Sequence, residues 1–150
     1  MFEEVAGILP TLVPRELGEL GISARRYGIK VWFGGGKPPR IHYEAQVIGP
    51  KEVPEATVLA VEVGFHTELP KADDNDEVLA GIRAAEKRWR KELGVEPVCG
   101  PFLGRANNWR RVSETWPDPD LSDPELPFEL AARLTDYITA LEPVRRTTRA

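Results

Sequence analysis

His42, Glu44, Glu62 and His66 carry the side chains of this chain best suited to chemistry, and all four fall on one parity of two neighbouring alternating runs. In Ile41 to Ile48, the residues Ile41, Tyr43 and Val47 alternate with His42, Glu44 and Gln46. In Thr57 to Leu69, Leu59, Val61, Val63 and Phe65 alternate with Glu62, Gly64, His66 and Glu68. Side chains along a strand point to opposite faces in turn, so a hairpin that joins both apolar sets must project the His and Glu residues from its other face. One His and two carboxylates can hold a divalent ion with open positions, or shift one another's pKa for acid–base work. They can equally form an exposed ladder of ion pairs that contributes little energy.

Register decides which of these residues meet. Matching the apolar parities requires paired residue numbers with an even sum, and a turn centred near Glu52 makes that sum about 104. His42 is then expected opposite Glu62, with Glu44 two residues along, so the expected metal ligands are His42, Glu44 and Glu62. His66 is expected about four strand residues from Glu62, on the order of 13 Å away, which excludes it from a metal shared with His42.

These side chains need a sheet, and the sheet needs a cover. Tyr27 to Phe33 also alternates and ends in Gly34-Gly35-Gly36-Lys37-Pro38-Pro39, so it reads as a strand followed by a loop. Three consecutive strands with short links make an antiparallel meander. Phe2 to Leu9 reads as a short helix bounded by Pro10, inside an N-terminal helical segment over 1–26. A longer helix is expected from Asp74, paired with Glu77 as a cap, through Val78, Ile82, Ala85 and Trp89 to a stop at Gly94. Strands are expected over Val95 to Leu103 and Asn108 to Trp116. A last helix carries Leu130, Leu134, Tyr137, Ile138 and Leu141 before Pro143, and 145–150 reads as a frayed tail. The expected fold is α+β: one antiparallel sheet of about five strands, with two main helices packed on one face and a short N-terminal helix.

Other motifs have plainer explanations. Gly34-Gly35-Gly36-Lys37 lacks the Gly-Lys-Ser/Thr element of a phosphate loop and is followed by prolines, so it reads as a hairpin loop. Asp73, Asp74, Asn75 and Asp76 lack the glycine and distal Glu of a calcium loop and read as the start of a helix. Cys99 has no neighbouring base and reads as a small strand residue. Trp109-Arg110-Arg111, with Arg105 and with Lys30 and Trp32, mixes aromatics and cations as single-strand nucleic-acid binders do, or as charged edge strands do.

At 150 residues and 41% hydrophobic, the chain has the size and apolar content of one domain. Its net charge of −4 supplies no global attraction to nucleic acid or an anionic membrane. A single cysteine excludes an internal disulfide, and Met1-Phe2-Glu3-Glu4 lacks the start of a signal peptide, so a cytoplasmic location is expected. No apolar run approaches the roughly 20 residues of a membrane span.

From Val61-Glu62-Val63, through the helix ending Lys91-Glu92-Leu93-Gly94, to Trp109-Arg110-Arg111 and the last helix, the order resembles uncharacterised prokaryotic α+β domains, some of which accompany nuclease-like or restriction-related modules. The resemblance implies the fold class and brings no catalytic motif, because Glu62 is followed by Val63 and Gly64 and not by the acid-x-Lys of the restriction nuclease core. The expected function is binding through the polar sheet face, by a protein partner or self-association, with Lys30, Trp32, His42, Glu44, Glu62, His66, Trp109 and Arg111 as the binding set. Trp32 is its expected hot spot, unless the N-terminal segment folds over that face. The alternative is a metal-assisted hydrolase or nuclease-like enzyme using His42, Glu44 and Glu62, and the third reading is a nucleic-acid binder. No organic cofactor is expected.

Overall fold

The computed structural model describes residues 1–104 and 106–148, so Arg105, Arg149 and Ala150 lie outside the described residues. The chain is α+β with one antiparallel sheet: β1 (Leu20–Ala24), β2 (Gly28–Phe33), β3 (Ile41–Ile48), β4 (Ala60–Thr67), β5 (Val98–Pro101) and β6 (Arg110–Pro117). The strand order is β1-β2-β3-β4-β6-β5. Four helices are described, α1 (Phe2–Leu12), α2 (Ala72–Arg83), α3 (Glu86–Leu93) and α4 (Leu126–Thr148), and a 3-10 turn spans Arg15–Leu17.

Alternation builds the core. Ile29, Val31, Tyr43, Ala45, Val61, Val63, Phe65 and Val112 send their side chains to one face, where Leu9, Ile82, Trp89, Leu134, Ile138 and Leu141 from the four helices bury them. The opposite face is left to the polar parity of the same strands. Leu59, expected in the core, is only half-buried and precedes β4.

Several elements differ from expectation for identifiable reasons. The sheet has six strands and not five, because Leu20–Ala24 pairs with β2 inside the stretch read as a helical segment; every residue of β1 is half-buried, so its sequence carries no clean alternation. The single helix expected to end at Gly94 is divided at Ala84 and Ala85. There the Ile82 carbonyl accepts from the Ala85 amide (3.1 Å) and from the Trp89 indole N–H (2.9 Å), which brings Trp89 into the core. Asp74 does not cap: α2 begins at Ala72. Asn75, fully buried, is instead the tie, accepting from Thr67 Oγ1 and the Leu69 amide and donating to the carbonyls of Leu69 and Asn108.

The last helix does not stop at Pro143, and residues 145–148 of the expected tail are helical. Proline removes one helical hydrogen bond, but side chains hold the final turns. Buried Glu142 accepts from Tyr43 Oη (3.0 Å) and Arg146 Nε (3.0 Å), while the Arg146 guanidinium lies 5.2 Å over the Phe33 ring and donates to the Leu17 carbonyl.

Candidate metal centre

The geometry of the polar face depends on how β3 and β4 are aligned. His42 pairs directly with His66, Glu44 with Gly64 and Gln46 with Glu62. The expected pairing of His42 with Glu62 is therefore wrong by four residues, and the reason lies outside the hairpin. The Asp118 carboxylate takes the amides of Thr57 (2.8 Å), Val58 (2.7 Å) and Leu59 (3.3 Å), which holds these residues in the connection, and pairing with β3 begins at Ala60. The turn is thus longer and centred further along than Glu52.

The corrected register brings together what the expected one separated. A His-x-Glu triplet stands on each strand, His42-Tyr43-Glu44 on β3 and His66-Thr67-Glu68 at the end of β4. With the histidines opposite each other on antiparallel strands, Glu44 and Glu68 lie two residues beyond them in opposite directions and flank the His pair. One donor atom from each of His42, Glu44, His66 and Glu68 lies within 4.8 Å of the other three. His42 Nε2 is 2.9 Å from Glu44 Oε1 and 3.7 Å from Glu68 Oε2; His66 Nδ1 is 3.3 Å and 3.2 Å from the same two oxygens. Ligand atoms held 2.0–2.2 Å from one ion at the tetrahedral angle lie about 3.3–3.6 Å apart, so this set has close to the size of a divalent transition-metal site.

The outer nitrogens are held so that the inner ones face the centre. His42 Nδ1–H donates to the Pro39 carbonyl (2.7 Å) and His66 Nε2–H donates to Glu62 Oε2 (2.7 Å). Both partners only accept, which places a proton on each of those outer nitrogens; His42 Nε2 and His66 Nδ1 face the carboxylates of Glu44 and Glu68, and the outer partners stand where second-sphere acceptors do for metal-bound histidines. Glu62, expected among the metal ligands, lies outside this donor cluster: it is fully buried and accepts from Gln46 Nε2 (3.0 Å) and from His66. His66 and Glu68 are the members of the cluster that the expected register left out, and the repeated His-x-Glu triplet is the signal that points to them.

Charge accumulates here at a cost that the network offsets. Burial opposes the ionised form of Glu44, but hydrogen bonds from His42 and His66 hold its carboxyl well below the usual range. Burial likewise opposes ionised Glu62, and the charge of His66 lowers it. Burial disfavours protonated His66, yet Glu62, aided by hydrogen bonds to Glu44 and Glu68, raises its pKa well above the ordinary imidazole value. Within the cluster the carboxylates and imidazoles thus balance one another, with His66 carrying the positive charge.

The centre has one open side. Glu44 and Glu68 line a cleft of about 340 Å³ with Lys30, Gln46, Phe102, Ala106 and Trp109. On another side Phe102 sets its ring edge-to-face against His66 (4.8 Å), and Trp109 packs in the same way on Phe102 (5.5 Å).

The remaining expected binding residues separate into used and available. Arg111 is buried and donates to Ser113 Oγ (2.9 Å) and to the carbonyls of Ser113 and Pro101. Arg110 is engaged by Asp76 (2.7 Å). Trp32 is only 8% exposed and leans over Gly21, where an added Cβ would lie 2.3 Å from its ring. It is covered from β1 and not by α1, whose Phe2, Val5 and Leu9 are in the core on the helical face. Lys30 stays half-exposed in the cleft, opposite Glu44 on β3. Among the described residues no helix is long and apolar enough to cross a membrane. No family model, no curated protein and no solved structure matches this chain.

Proposed function

We propose that the protein binds one divalent transition-metal ion through His42, Glu44, His66 and Glu68 and acts as a metal-dependent hydrolase at the cleft beside it. The convergence of two inward imidazole nitrogens and two carboxylate oxygens, each imidazole oriented by a separate acceptor, carries this reading. A mixed nitrogen and oxygen donor set suits zinc, manganese or ferrous iron better than calcium or magnesium. The chemistry such an ion supplies is Lewis-acid polarisation of a substrate oxygen or of water. The chain supplies the rest: Glu62 and Pro39 fix the rings, Phe102 shields His66 from solvent, and the cleft admits substrate on the Glu44 and Glu68 side.

Binding through a protein partner at the polar face has less support, since its expected anchor Trp32 is spent within the monomer. Nucleic-acid binding loses Arg110 and Arg111 to internal partners. Dialysis of the purified protein against zinc and against manganese, followed by elemental analysis, is expected to leave one ion per chain and to raise the unfolding temperature. A chain that retains neither ion rejects the proposal.

A further inference from the structure

A second cavity, of about 500 Å³, adjoins the metal cleft and shares Lys30, Glu44 and Gln46 with it. Gly28 leaves the strand surface bare between Lys30 and the β1–β2 turn, where Arg25 closes the chain by donating its amide to the Gly28 carbonyl (2.8 Å). Arg25 and Arg26 stand exposed at the cavity mouth, and together with Lys30 they make no ion pair among the described residues. Beside them Tyr27 is 61% exposed, with the Arg26 guanidinium stacked 5.2 Å over its ring. In a chain of net charge −4, three cations line one cavity, against two carboxylates, Glu44 beside Lys30 and Glu52 across from the turn.

Resting on the metal-centre reading, we infer that the substrate is a phosphate-bearing small molecule of nucleotide size. Its phosphate sits between the metal and Lys30, and its ring lies against Tyr27 and Arg26. A compact ammonium beside a metal ion is suited to a phosphoryl group, and the arginine fork to a second oxyanion face. Tyr27 with Arg26 offers an aromatic ring a stacking surface that is already exposed. The cavity is in the size range of small-molecule sites. Lys30 lies opposite Glu44 on the adjacent strand and lines the same cleft as Glu44 and Glu68.

Zinc-loaded protein, its metal content measured, is titrated by calorimetry with adenosine monophosphate and with inorganic phosphate. Adenosine monophosphate is expected to bind more tightly than phosphate. Lys30→Ala is expected to weaken both by about tenfold or more, and Tyr27→Ala to weaken only the nucleotide, with one zinc per chain and an unchanged melting temperature in each variant. Wild-type protein that holds zinc yet binds neither anion, or Lys30→Ala with wild-type affinity, overturns the inference and leaves the metal centre standing. If no zinc is retained, the metal reading fails by itself; anion binding by that zinc-free protein, lost in Lys30→Ala, would then support the basic cavity, and its absence would overturn it.

Discussion

Replacing His66 by Ala is expected to lower metal affinity by on the order of 100-fold or more, because it removes one of four ligands and also the group through which Glu62 acts. It should also lower stability by roughly 3–5 kcal/mol, since Glu62 is fully buried and loses the cation opposite it. The two effects separate with a second variant. Glu68→Gln removes a carboxylate charge but leaves His66 its pairing with Glu62 and Glu44, so the metal-free protein should lose much less stability than with His66→Ala while zinc binding still weakens. Equilibrium dialysis against a competing chelator reads both. Wild-type affinity in His66→Ala and Glu68→Gln alike would remove the assigned ligand set.

Phe65→Ala is the substitution expected to damage the fold most without touching the polar face. The ring is fully buried on the helical side of β4, packs edge-to-face on Tyr43 (5.5 Å) and lies under the Arg145 guanidinium (5.9 Å). Truncating a buried phenylalanine typically costs about 3–5 kcal/mol, a transfer term plus the cavity left behind. Urea unfolding followed by circular dichroism should show the midpoint falling by a corresponding amount. A midpoint equal to that of the wild type would contradict the packing of β4 against the helices.

The face assignments were legible in the sequence because alternation needs no partner to be read: Val61, Val63 and Phe65 on one side and Glu62, His66 and Glu68 on the other follow from the run itself. The same alternation is silent on register. Every alignment shifted by two residues keeps both apolar sets together, so His42 opposite Glu62 and His42 opposite His66 satisfy the core equally. What discriminates them is Asp118, a residue far along the chain with no pattern of its own. The helix ends were misread for a similar reason. Pro143 is a local stop signal, and the contacts of Glu142 with Tyr43 and of Arg146 with Phe33 that override it are all long-range.

The Asp118 clasp ties the order of synthesis to the order of assembly. Both histidine strands leave the ribosome well before the residue that decides how they align, and in that interval the hairpin has several alignments of equal apolar merit. Domains are generally made and folded from the N-terminus, and a hairpin whose alignment is fixed from outside is an exception to local closure. In refolding from urea, Asp118→Ala should delay recovery of zinc uptake more than recovery of helical signal; equal delay would break the link. On that expectation the alignment that sets His42 opposite His66 is secured only after Asp118 has been made and has closed on the residues before β4.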